Sequence, residues 1–247
     1  MDAQTNGIET IEDIVLHRRA DRQALAQALA EDVAQALREA IDARGSASLV
    51  VSGGSTPVPM FQVLSDLELD WSAVRVTLAD ERIVAPEAER SNERMVRATL
   101  LQGRAAAARL VSLHDEGLLT GGEVAPALAR IGAGLADMPG PFDVLLLGMG
   151  DDGHTASLFP DAPELEQAMR GDSGERVVVT RPPSQPEPRL SMSAPQLVDA
   201  RRAWLHLAGE DKRALLERAL REGELPIARL LRVIGRAGCE RAVYWAP

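Results

Sequence analysis

The run Gly148-Met149-Gly150-Asp151-Asp152-Gly153-His154 carries the residue types for proton transfer near neutral pH: one imidazole beside two carboxylates. A histidine can take or give a proton in that range, and a nearby carboxylate can orient its ring. The glycines of the same stretch lack a Cβ, so the backbone can turn sharply and approach a ligand closely. Ser52-Gly53-Gly54-Ser55-Thr56-Pro57 offers different chemistry. Its two glycines lead into a helix start, where unpaired N–H groups and the positive dipole end favour an anion, and the Ser55 and Thr56 hydroxyls add hydrogen bonds. Asp80-Glu81-Arg82 supplies a guanidinium whose fork suits a phosphate, and Pro188-Arg189-Leu190 supplies another. Each segment also has a plainer reading: a Gly-rich turn with a solvent-facing histidine, an N-capped turn, a solvated charge triplet, a surface arginine.

Such groups act together only if the elements around them end at one place. Val144-Leu145-Leu146-Leu147 is an apolar run bounded by glycine, and reads as a buried strand delivering the histidine loop. Ala47 to Val51 reads as a strand before the Gly-Gly turn, and Val74 to Ala79 as one before Asp80, which starts a polar loop. Leu25, Leu29, Val33, Leu37 and Ile41 recur every four residues and mark an amphipathic helix ending near Gly45. Pro57 opens a second helix at a position where a missing N–H does no harm, Ser91 or Asn92 caps a third, and Glu123 to Ala136 reads as a fourth. Short strands are expected at Leu110 to Leu113, Arg176 to Thr180, Leu190 to Ser193 and Ala203 to Ala208, with another around Tyr244 and Trp245. Asp211 is the expected cap of a helix reaching Arg221, and Arg181 to Pro188, with its four prolines, forms an ordered wall or crossing loop.

Strands alternating with helices predict parallel βαβ units: an α/β protein with a doubly wound, mostly parallel sheet and a small subsidiary layer in its second half. Ligands of such sheets bind at the carboxyl ends of the strands. Residues 1–247 are expected to form one domain.

Composition narrows the function. The net charge is −10 and no Lys/Arg cluster is interleaved with aromatics, which argues against nucleic acid as a partner. The single cysteine, Cys239, allows no internal disulfide and fits a reducing compartment. Met1 to Asp13 lacks the basic and apolar regions of a signal peptide, and no apolar run approaches the roughly 18 residues of a membrane span. The expectation is a cytoplasmic protein with no membrane partner. His17, His114, His154 and His206 are scattered without metal-ligand spacing. Gly-x-x-x-x-Gly-Lys-Ser/Thr, Gly-x-Gly-x-x-Gly and Gly-x-Ser-x-Gly are absent, so neither a nucleotide loop nor a serine nucleophile is indicated.

Taken in order, Ser52-Gly53-Gly54-Ser55-Thr56-Pro57, Asp80-Glu81-Arg82, Ser91-Asn92, the Gly148 to Pro160 motif and Pro188-Arg189-Leu190 resemble 6-phosphogluconolactonases over about residues 8–231. The resemblance implies a Rossmann-like sheet shared with glucosamine-6-phosphate deaminases and ribose-5-phosphate isomerases. It also implies hydrolysis of 6-phospho-D-glucono-1,5-lactone, a phosphorylated sugar lactone, with no metal or organic cofactor. His154 would be the general base and Asp152 its partner. Gly53, Gly54, Ser55, Thr56, Asp80, Arg82 and Arg189 would bind substrate and phosphate, with Arg181 and Lys212 as weaker candidates. Related deaminases carry a catalytic glutamate five residues after the histidine and a tyrosine after Asp-Glu. Here those positions are Phe159 and Arg82, which favours the lactonase. The resemblance leaves the oligomeric state open. The ending Tyr244-Trp245-Ala246-Pro247 departs from the family's usual aspartate after the tryptophan.

Overall fold

The computed structural model describes residues 6–170 and 174–247, so the first residues of the segment read for a signal peptide lie outside it. Its strands are β1 (Gly7–Ile11), β2 (Ile14–Arg18), β3 (Ala47–Val51), β4 (Val74–Leu78), β5 (Asp80–Arg82), β6 (Arg109–Leu110), β7 (Val144–Leu147), β8 (Val177–Thr180), β9 (Arg189–Met192), β10 (Arg202–Ala208) and β11 (Glu240–Ala246). Its helices are α1 (Arg22–Arg44), α2 (Val58–Asp66), α3 (Asn92–Thr99), α4 (Glu116–Leu119), α5 (Val124–Ala136), α6 (Leu165–Arg170), α7 (Ala194–Val198), α8 (Glu210–Glu222) and α9 (Pro226–Arg236).

The apolar runs that read as strands form the middle of an eight-stranded sheet ordered β1-β2-β11-β10-β7-β3-β4-β6. All its pairings are parallel except β1 with β2. Every residue of β3 and β7 is buried, as expected of central strands covered on both faces. From β3 the chain steps outward through β4 to β6, then returns to β7 on the other side of β3 and continues to β10 and β11. The direction of winding reverses between β3 and β7, and a crevice opens beyond the strand ends at such a switch point.

Helix α1 begins where Asp21 accepts a hydrogen bond from the Ala24 N–H at 2.8 Å, and ends at Gly45 in the left-handed region, φ 75°. Leu25, Leu29, Val33 and Leu37 are its buried stripe against the sheet. Helix α8 differs from expectation. It starts at Glu210 behind Gly209, whose φ of 99° suits glycine, and Asp211 lies inside its first turn rather than capping it.

Asp80 to Arg82, read as a polar loop, is instead a short strand. It pairs antiparallel with β9, which pairs antiparallel with β8, giving a small second sheet ordered β5-β9-β8. This is the subsidiary layer, though only β8 and β9 come from the second half of the chain, and β5 joins them from the first. Ala79 joins the two sheets: its N–H donates to Val51 O on the large sheet, and its carbonyl accepts from Met192 N on the small one, both at 2.8 Å.

Candidate active site

The carboxyl ends of β3, β4, β7 and β10 surround a cavity of about 280 Å³. Ser52 to Pro57 form one wall, Asp80, Arg82 and Asn92 a second, Gly148 to Gly150 with His154 a third, and His206 to Ala208 with Lys212 a fourth.

The Gly-Gly turn is held from below by the Ser52 hydroxyl, which donates to Leu146 O at 3.0 Å and so ties the end of β3 to β7. A Cβ on Gly53 would fall 1.9 Å from Asn92 Oδ1, so only glycine fits beneath that side chain. Gly54 has φ 93°. Helix α2 then starts behind Pro57 with no side-chain cap. The Ser55 and Thr56 hydroxyls are exposed, and neither has a hydrogen-bond partner among the described residues.

Asn92 is placed by Glu81. That carboxylate is buried and accepts from the N–H groups of Arg82, Asn92 and Glu93 at 2.7–2.8 Å and from the Ser91 hydroxyl at 3.0 Å. Burial outweighs these four bonds and raises its pKa above the ordinary value. The clamp fixes the start of α3 and lets Asn92 donate to Asp80 O at 3.0 Å. Asp80 is itself buried, and its carboxylate accepts from the Ser157 hydroxyl at 2.6 Å, linking β5 to the histidine loop.

That loop is folded on itself. Gly150 N donates to His154 O at 2.9 Å, Gly153 N to Gly150 O at 3.1 Å, and the Thr155 hydroxyl to Gly148 O at 2.9 Å. The His154 ring lies so close to Gly150 that a Cβ there would meet it at 2.1 Å. Its Nδ1 is 2.5 Å from Asp152 Oδ1, and the same oxygen accepts the His154 backbone N–H at 3.0 Å. Phe159 stacks on the ring, with centroids 4.0 Å apart and planes 27° apart. Burial disfavours charge on Asp152, but the hydrogen bonds from the His154 ring and backbone prevail and hold its pKa below the ordinary value. With Nδ1 taken, Nε2 is the nitrogen free for proton transfer.

A family model described as glucosamine-6-phosphate isomerases/6-phosphogluconolactonase matches residues 20–238. The chain belongs to this family. Among similar proteins, a 6-phosphogluconolactonase of Rhizobium meliloti (strain 1021) is 45% identical over 94% of this chain and 98% of its own length. One from Pseudomonas putida is 41% identical over 95% of this chain and 93% of its own. The crystal structure of a 6-phosphogluconolactonase from Shewanella baltica OS155 superposes with a TM-score of 0.89 at 39% identity, covering 97% of this chain and 100% of that one.

The family motifs read from the sequence converge only in part. Gly53, Gly54, Ser55, Thr56, Asp80, Arg82, His154 and Lys212 all line the cavity. Arg82 is anchored there by one Nη1 bond of 2.5 Å to Arg90 O. Lys212 Nζ sits 2.8 Å from Met149 O and 2.7 Å from Asp151 Oδ1. Asp152 stands behind His154. Arg189 lies opposite Arg82 in the small sheet but outside the cavity wall. It is buried, bound to Glu187 O at 2.6 Å and Gln185 Oε1 at 2.8 Å, and its pKa is lowered by burial and then by Arg82. Arg181 pairs with Glu164 away from the cavity. The lining also includes polar side chains to which the sequence assigns no role, among them Asn92, which lies within the Ser91-Asn92 motif, and His206, which has no metal-ligand spacing to the other histidines. Among the described residues no cluster of three or more His, Cys, Asp or Glu could hold a metal ion, and no helix is long and apolar enough to cross a membrane.

Proposed function

We propose that this protein hydrolyses 6-phospho-D-glucono-1,5-lactone to 6-phospho-D-gluconate, the lactonase step of the oxidative pentose phosphate pathway. The observation that carries this reading is one imidazole, its Nδ1 engaged by Asp152, at the rim of the cavity that the unsatisfied Gly-Gly turn also lines. The turn, Arg82 and Lys212 hold the phosphate dianion. Arg189, opposite Arg82 in the small sheet and ion-paired with Glu187, braces that wall without reaching the phosphate. Asp80 and Asn92 face the sugar.

The lactone carbonyl is already electrophilic, so the protein needs to orient the ring and activate a water. Neutral His154 takes a proton from water at Nε2 as the hydroxide oxygen bonds to C1. The tetrahedral oxyanion then collapses, the C1 to ring-oxygen bond breaks, and the imidazolium returns its proton to the leaving oxygen. Asp152 fixes the ring and stabilises its charged form during this cycle. No metal or organic cofactor enters the reaction as written, and neither nucleic acid nor a membrane is a partner.

Phe159 supports hydrolysis over deamination, since a buried apolar ring stacked on His154 has no proton to exchange. We assign the whole chain to one domain and the activity to the cytoplasm, where an ionised sugar phosphate is retained. The test is to generate the lactone with glucose-6-phosphate dehydrogenase and follow its loss with and without this protein. Acceleration over spontaneous hydrolysis is expected. No acceleration, or release of ammonia from an amino-sugar phosphate, would overturn the proposal.

A further inference from the structure

His206 lines the cavity, yet the proton transfers and phosphate contacts described above make no use of it. It sits in β10 one step beyond Leu205, which pairs with Leu147, so it lies level with the start of the histidine loop. The residue is 7% exposed. Among the described residues neither ring nitrogen has a hydrogen-bond partner, and Nδ1 is sealed from solvent. A buried polar group without a partner is costly, and an imidazole carries one donor and one acceptor when neutral. Sealing Nδ1 leaves Nε2 as the nitrogen with access to the cavity, and the proton belongs there, where a ligand can receive it.

The two cations of the cavity, Arg82 and Lys212, suit a dianion. His206 does not. Desolvation lowers its pKa to about 4, so it is uncharged at neutral pH. An uncharged donor of fixed position matches an uncharged oxygen. We propose that His206 is a specificity-determining residue whose Nε2–H donates a hydrogen bond to a hydroxyl on the sugar ring of the bound lactone. This rests on the lactonase reading and extends it: the site reads ring hydroxyls as well as the phosphate.

The experiment compares wild type, His206→Phe and His206→Gln on the natural lactone and on lactones lacking a single ring hydroxyl, starting with that from 2-deoxyglucose 6-phosphate. Phe keeps a ring without a donor, and Gln restores an N–H. His206→Phe should lose about three- to tenfold in kcat/KM on the natural lactone, mainly through KM, as expected for one neutral hydrogen bond. On the deoxy lactone missing the recognised hydroxyl, wild type and His206→Phe should be equal, and His206→Gln should recover part of the loss on the natural substrate. Wild-type kcat/KM in His206→Phe, or an equal loss on every lactone, would overturn the assignment. Should the Phe variant not fold, ¹⁵N-histidine NMR of the wild type decides. The His206 Nε2 resonance should move with 6-phosphogluconate and not with inorganic phosphate; movement with phosphate, or with neither, overturns it. Failure of wild type itself to hydrolyse the lactone would remove the functional reading instead.

Discussion

The histidine loop and the Gly-Gly turn leave neighbouring strands at the same sheet edge but hold their functional groups in opposite ways. Around His154 the local bonds are already made: Nδ1 is engaged, the ring is stacked on Phe159, and the loop closes on itself through Gly150 and Gly153. In the turn, the Ser55 and Thr56 hydroxyls have no partner among the described residues and α2 lacks a side-chain cap. A group that moves a proton gains from being fixed before substrate arrives, because a small misplacement is costly to rate. Groups that bind an anion gain from being unsatisfied, because the ligand then completes them.

If this contrast is correct, variants of the two regions separate in kinetics. His154→Ala should lower kcat by about 10²- to 10⁴-fold in the coupled lactone assay while KM stays near wild type; a near-normal kcat would break the contrast outright. Gly150→Ala pushes a methyl into the ring and should cost about a hundredfold in kcat, with circular dichroism confirming an intact fold. Arg82→Ala should raise KM about ten- to a hundredfold, the range for a charge-assisted bond, and leave kcat nearly unchanged. Ser55→Ala should raise KM about three- to tenfold in the same way; a fall in kcat alone would mean the turn acts on the transition state. The smallest effect concerns pH. Asp152 has a lowered folded-state pKa, so its stabilising contribution is present above the ordinary value of 3.8 and is lost as pH falls through the lower folded value. Thermal melts of Asp152→Asn should therefore lack part of the acid-side decline seen in wild type.

Much of this arrangement could be read in the sequence. Strands β3 and β7 are continuous apolar runs, and α1 has a clear stripe and a terminal glycine, so local pattern and tertiary role agree. The histidine loop was legible because its glycines are required by close approach: Gly150 by the imidazole, Gly153 by Leu225. What escaped was set by partners distant in the chain. Three charged residues do not read as a strand, and β5 exists because β9 pairs with it and buries Asp80 and Glu81. Arg189 reads as a surface residue until Glu187 and Gln185 are seen to receive its guanidinium. His206 sits in an apolar run that predicts only a strand. The N-terminal hairpin is unassigned because Ile8 and Val15 are exposed, which blurs its alternation. Helix α9 also goes unassigned, although Ile227, Leu230, Leu231 and Ile234 carry a helical stripe.

The seam at Ala79 has a mechanical consequence. The peptide chain passes from one sheet to the other across that residue, and two side chains of the cavity wall, Asp80 and Arg82, follow immediately on the far side. Tilting the three-stranded layer would swing Arg82 relative to the Ser52–Pro57 arc, altering the width of the grip. A bound phosphate spanning both would brace the joint. Substitutions beneath β8 and β9, remote from the pocket, would then tune affinity through leverage alone.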